Sequence, residues 1–217
     1  MNADAALPLT LADKLRPQAA ALLVIDMQND FCATGGYIDA VMKKDVGAAA
    51  TIVEPIETLL AAARTRGVPV VWVKADYSHD RIPAPMLAKL RSRGITAVCC
   101  QPGTWGADFF GVRPAGDETQ VVKHSYSGFI GTELEPVLRA LGARTLVFVG
   151  VQTQVCVEST VRDGHSLGYF CVVPQDAVAS HTPALHEATL DNIRFLFGDV
   201  CAARDVVDAW SAAPTAH

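Results

Sequence analysis

The sequence predicts an α/β protein, a three-layer α/β/α sandwich built on a parallel sheet. Three observations carry that expectation. The apolar runs are continuous rather than alternating, as in strands buried on both faces. Stretches with helical spacing lie between those runs, and strand–helix alternation favours right-handed crossovers between parallel strands. Half of the 217 residues are hydrophobic and 19% are charged, which supplies enough apolar surface to offset the entropy of folding.

Ala21-Leu22-Leu23-Val24-Ile25 is the first strand, halted by Asp26. Ile52, Ile56, Leu59, Leu60 and Ala63 recur at helical spacing before a stop at Gly67. Val68 to Val73 forms the second strand. Tyr77 to Asp117 then breaks the rhythm with four prolines (83, 85, 102, 114) and five glycines (94, 103, 106, 111, 116); only Met86 to Arg93 reads as helix. An irregular stretch of that length is expected to be a functional loop or lid. Gln120 to Val122 is the third strand, and Thr132 to Glu135 is a capping-box signature opening a helix over Leu134 to Leu141. Thr145 to Val149 is the fourth strand, followed by the turn Gly150-Val151-Gln152-Thr153 and a helix reaching Leu167. Tyr169 to Val173 is the fifth. Thr182-Pro183 opens a last helix through Leu185, Ala188 and Ile193, and Ser211 to His217 is expected to fray. With no repeat and no linker, residues 1–217 read as a single domain.

Composition excludes several function classes. A formal charge of -5 leaves no basic field for nucleic acid. No apolar run approaches the ~18 residues that cross a bilayer, and Met1 to Gln18 lacks the pattern of a signal peptide. A cytoplasmic protein with no membrane partner is expected. The six cysteines form no CxxC pair, so they read as reduced thiols, most of them structural; Cys32, Cys171 and Cys201 are assigned to packing. Cys99 and Cys100 are adjacent and have no charged helper nearby in sequence. Neither GxGxxG nor GxxxxGK[ST] occurs, so no nucleotide cofactor is expected.

A parallel sheet delivers its strand ends to one edge, where ligands bind. Asp26, Lys123 and Cys156 stand at such ends. Each has an ordinary reading: Asp26 as a cap or turn carboxylate, Lys123 as a solvated strand end, and Cys156 as a small core residue. At the start of a helix, however, the helix dipole and a neighbouring lysine favour the nucleophilic thiolate. His165, nine residues past Cys156, falls on the opposite helix face. His124 and Lys123 point to opposite faces of their strand, and alternation alone does not tell which one faces Cys156.

Three blocks carry a resemblance. Leu22 to Cys32 (LLVIDMQNDFC), Lys123 to Phe129 (KHSYSGF) and Gly150 to Asp163 (GVQTQVCVESTVRD) resemble, in order, the signature blocks of the isochorismatase-like cysteine hydrolases, over about residues 20–207. The resemblance implies a Rossmann-like six-stranded parallel sheet, a catalytic triad of Asp26, Lys123 and Cys156, and a cis peptide at Val151-Gln152. It further implies an oxyanion hole from the backbone N–H groups of Gln152 and Cys156, no cofactor, and a homodimer or homotetramer. Asn29, Phe31, Trp105, Tyr126, Phe129 and Gln152 are the candidate substrate-binding residues, Phe129 reading equally as core.

Departures from the subfamilies narrow the chemistry. Nicotinamidases carry Asp-x-His after the second strand to hold a metal; here Asp76 is followed by Tyr77 and Ser78, with His79 displaced by one. No metal is expected. Members that cleave the vinyl ether of isochorismate often lack the cysteine, so Cys156 argues against that reaction. Cys156 to Ala177 is similar to members acting on ureido or carbamoyl compounds, such as ureidoacrylate amidohydrolases. The expected function is cysteine-dependent hydrolysis of a small amide, ureido or carbamoyl C–N bond through a thioester. The alternatives are an isochorismatase-type vinyl-ether hydrolase, a nicotinamidase-like aryl amidase, or a non-catalytic interaction module. A thiol redox protein would need a resolving cysteine in the turn of Cys156, and that turn has none.

Overall fold

A computed structural model describes residues 7–212. The continuous apolar runs become the strands β1 (Ala20–Ile25), β2 (Val70–Ala75), β3 (Thr119–Lys123), β4 (Thr145–Val151) and β5 (Phe170–Pro174), with two short additions, β6 (Val178–Ala179) and β7 (Asp199–Cys201). They form one sheet in the order β3-β2-β1-β4-β5-β7, every pairing parallel, with β6 beside the end of β4. Among the described residues the continuous path has the six strands expected, and β6 adds a short seventh beside β4. β6 and β7 contribute two and three residues, too few to show a period in sequence.

Among the described residues ten helices pack around it: α1 (Leu11–Lys14), α2 (Asn29–Cys32), α3 (Tyr37–Ala40), α4 (Gly47–Thr51), α5 (Val53–Arg66), α6 (Ala84–Ser92), α7 (Leu134–Ala140), α8 (Glu158–Ser166), α9 (Pro183–Asn192) and α10 (Ala203–Ala212). Successive strand side chains go to opposite faces, so each buried run feeds two cores. Leu22, Val24, Trp72, Val147 and Val149 pack with Ile56 and Leu59 of α5 and Trp210 of α10. Leu23, Ile25, Val71, Val73 and Phe148 pack with Leu134 and Leu138 of α7 and Val161 of α8. This is the expected three-layer sandwich.

Two local expectations change. Thr132 Oγ1 accepts the N–H of Leu134 and donates to the Gly128 carbonyl, so it ties down the loop before α7 instead of closing a capping box with Glu135. Ser211 and Ala212, expected to fray, complete α10 instead, and 213–217 lie outside the described residues. Among the described residues no helix is long and apolar enough to cross a membrane. The strand order reverses direction between β1 and β4, and the crevice beyond their carboxyl ends is where such sheets take ligands.

Candidate active site

Asp26 is the first residue after β1. Its backbone is left-handed, φ 52°, a conformation that Asp tolerates better than most residues, and its N–H bonds the Val73 carbonyl at 2.8 Å. This turn rolls the carboxylate over the sheet edge. Lys123 is the last residue of β3, opposite Ala75 of β2. The strand lies at the sheet edge, with Val121 and Lys123 buried and Val122 exposed. Lys123 therefore points inward and His124 does not; His124 Nδ1 instead meets the Asp76 carbonyl at 2.7 Å.

Cys156 arrives by a different route from the one expected. β4 continues to Val151, the Val151–Gln152 peptide is cis, and a π-type turn, Thr153–Val157, precedes α8. The Gln152 carbonyl accepts the N–H groups of Val155 at 3.0 Å and Val157 at 3.3 Å, closing the turn that carries Cys156. The strand can come this close to β1 because residue 150 is glycine. A Cβ there would lie 2.0 Å from the Ile25 carbonyl oxygen, and its φ is +111°, a region open to glycine.

Lys123 Nζ stands at the centre of the cluster and is fully buried. It lies 2.9 Å from Asp26 Oδ2, yet its hydrogen bonds run to Tyr77 Oη at 2.7 Å, the Ser125 carbonyl at 3.2 Å and Cys156 Sγ at 3.4 Å. An ammonium has three donors. With Asp26 Oδ2 these partners make four acceptors around three N–H groups, so the ammonium is saturated and the carboxylate is held mainly by its charge and by the Cys156 thiol. Tyr77 Oη also lies 3.5 Å from Cys156 Sγ and donates to the Ser125 carbonyl.

Burial sets the titration. It raises the Asp26 pKa, against the pull of Lys123 and the Cys156 thiol. Burial would lower Lys123, but Asp26 and Cys156 more than offset it and hold the ammonium above its ordinary value. Burial and then the Asp26 carboxylate push the Cys156 thiol up to about 12, with Lys123 and Tyr77 opposing. Lys123 favours the thiolate as expected, while burial and the Asp26 carboxylate act the other way and leave the thiol pKa raised.

A cavity of about 170 Å³ opens in front of Cys156. Phe31, Tyr37, Ile38 and Met42 come to it from the stretch after β1, and Ile82, Met86, Leu90 and Cys99 from the irregular segment; Tyr126, Gln152 and His181 complete its wall. Three of the six candidate binding residues, Phe31, Tyr126 and Gln152, therefore line it. The polar atoms of Gln152 are already engaged, Oε1 by the His181 N–H and Nε2 by the Phe31 carbonyl. The other three are elsewhere. Asn29 Nδ2 bonds the Trp105 carbonyl, the Trp105 ring is 54% exposed, and Phe129 stacks on Tyr169 in the core.

The Asp76 region does not fit a metal ion. Asp76 Oδ1 accepts both the N–H and the hydroxyl of Ser78, Oδ2 faces the Arg81 guanidinium at 3.5 Å, and His79 is held by the Ala97 carbonyl and Arg91. A guanidinium occupies the place a cation would take. Cys99 and Cys100 have a charged neighbour after all, since Asp30 Oδ2 accepts the Cys100 N–H at 2.6 Å. Their sulfurs lie 3.7 Å apart, and all six cysteines are free thiols.

Two site residues escape sequence reasoning. Tyr77 sits at the head of the irregular segment, fixed by an antiparallel bridge to Cys99, with no local signal beyond its place two residues past β2. Gln28 staples β1 to β2, its carboxamide bonding both the N–H and the carbonyl of Ala75; a buried glutamine beyond an apolar run is the available hint.

Comparison with known proteins agrees with this geometry. The isochorismatase domain family matches residues 20–205. The chain is 36% identical over 209 residues to a ureidoacrylate amidohydrolase of Cronobacter sakazakii, covering 90% of each chain. A cysteine hydrolase from Pseudomonas syringae pv. phaseolicola superposes with a TM-score of 0.79 at 27% identity, over 96% of this chain and 97% of that one. An N-carbamoylsarcosine amidase from Thermoplasma acidophilum superposes at 0.70 and 28% identity, over 85% and 96%. With its fold, its three sequence blocks and nearly its whole length in agreement, this chain belongs to the isochorismatase family.

Proposed function

We propose that this chain is a cysteine-dependent amidohydrolase that cleaves a small amide, ureido or carbamoyl C–N bond through a thioester on Cys156. The observation that carries the reading is the meeting of Asp26, Lys123 and Cys156 beside one buried cavity. A thiol that rests protonated needs a base at the moment of attack. Asp26 is that base: it lies against Lys123 and the Cys156 thiol, and burial raises its affinity for a proton.

The proton passes from Sγ to Asp26 as the Sγ–C bond forms, and Lys123 stabilises whichever of the two groups carries the negative charge. The backbone N–H groups of Gln152 and Cys156 receive the carbonyl oxygen as it gains charge. The intermediate collapses when Asp26 returns the proton to the departing nitrogen and the C–N bond breaks. Water then gives a proton to Asp26 and attacks the thioester carbon. The C–S bond breaks, and the proton on Asp26 returns to sulfur.

The reaction needs a small-molecule substrate and no metal. A single domain acting in the cytoplasm fits this chemistry, and exposed Phe195 and Leu196, 78% and 60% accessible, support a homodimer or homotetramer, which light scattering would count. Cys156→Ala tests the mechanism. It should abolish release of ammonia from amides and ureido acids while leaving the circular dichroism unchanged, and quenched wild-type protein should carry an acyl adduct on the Cys156 peptide. Turnover surviving in the alanine variant would remove Cys156 as nucleophile.

A further inference from the structure

Among the described residues, none that line the cavity beside Cys156 is a lysine, arginine, aspartate or glutamate. Its ionisable side chains are neutral at pH 7. Burial holds Tyr37 up at about 12 and raises Tyr77, Tyr126 and Cys99, while it lowers His181. The Lys123 ammonium behind the thiol is paired with Asp26, and its donors are spent. Of the cations in the neighbouring segment, Arg81 faces Asp76 and Arg91 meets His79. Exposed Arg93 and Lys44 act on Tyr37 and His181 from outside the cavity wall. A carboxylate in this chamber would lose its water and meet no counter-charge in the wall itself, the nearest unpaired cations being exposed at the rim.

What the wall offers instead is hydrocarbon, thioether and aromatic surface: Phe31, Ile38, Met42, Ile82, Met86 and Leu90. About 170 Å³ is close to the roughly 150 Å³ of a dry cavity that takes benzene. Two methionines make such a wall adaptable in shape while leaving it apolar.

We propose that this chamber is the subsite for an uncharged, apolar group of about phenyl size, so the chain acts on amides or ureas bearing such a group in preference to carboxylate-bearing ureido acids. The inference rests on the amidohydrolase reading above and narrows its substrate class. It also separates this chain from the relative of Cronobacter sakazakii, whose substrate, ureidoacrylate, is a carboxylate at neutral pH.

The test compares phenylacetamide and benzylurea with 3-ureidopropionate and ureidoacrylate, reading ammonia release by the full-length protein. The uncharged pair should exceed the carboxylates by about 100-fold or more in kcat/KM. The adduct mass on Cys156 tells which side of the bond enters the chamber: phenylacetyl for the amide, carbamoyl for the urea. Leu90→Arg, at a partly exposed position, should narrow the gap by about tenfold or more by adding a counter-charge; Met86→Lys takes its place if circular dichroism shows that the arginine variant is unfolded. Calorimetry on Cys156→Ala protein reads binding without chemistry. Faster turnover or tighter binding of the carboxylates overturns the inference and leaves the amidohydrolase reading standing. Binding of the apolar pair without turnover by the wild type does the reverse, and neither binding nor turnover rejects both.

Discussion

Asp26 and Cys156 share one proton in a space where burial penalises any charge, and the holder of that proton decides what a thiol reagent meets. The Asp26 carboxylate is the charged neighbour that raises the thiol. Asp26→Asn removes that anion and keeps Lys123, so the thiol pKa falls from about 12. Well below the pKa, each unit of fall raises the thiolate fraction tenfold. Alkylation of Cys156 by iodoacetamide at pH 8 should therefore accelerate by about tenfold, while turnover drops by about 10² or more for want of a base. Slower alkylation, or turnover that survives, would show that Asp26 neither restrains nor deprotonates the thiol. Asp26 and Lys123 were legible because each follows an apolar run, and Cys156 because it stands where a helix starts beyond one. The choice between Lys123 and His124 was not, since it depends on which face of β3 the sheet edge buries. The balance of forces on the thiol was not legible, because sequence displays neighbours and helix starts, whereas desolvation depends on how the whole site closes.

At the scale of elements, β4 and β1 approach through Gly150, which pairs with Ile25, the residue before Asp26. Gly150→Ala would drive a Cβ into the Ile25 carbonyl at 2.0 Å and impose φ +111° on an L-residue. We expect a loss of about 2 to 4 kcal/mol in urea unfolding, together with a fall in activity as the Asp26 turn shifts. A native unfolding midpoint would mean that the strands part at no cost. Five strands and the helices α5 to α9 could be read from sequence, because continuous apolar runs and 3.6-residue spacing report burial directly; α10, which buries Trp210, was not read. β6, β7 and the π-type turn could not. Each is fixed by tertiary contact over two to five residues, shorter than any period needs to declare itself.

For the whole molecule, the Asp76 region predicts chemistry independent of metal, since Ser78 and Arg81 take up the carboxylate that a cation would need. Prolonged dialysis against a chelator should leave ammonia release within about twofold of the untreated protein. Activity lost on dialysis and restored by zinc would require a metal site and overturn this reading. The chamber has a wider consequence. The reacting groups ride on the ends of β1 and β3 and on the turn after β4, while Ile82, Met86, Leu90 and Cys99 belong to a stretch between β2 and β3 that supplies no strand. No register in the sheet is set by that stretch. Its side chains can be exchanged during evolution without moving the strand ends that hold Asp26 and Lys123, so one inherited scaffold can be fitted to many diets.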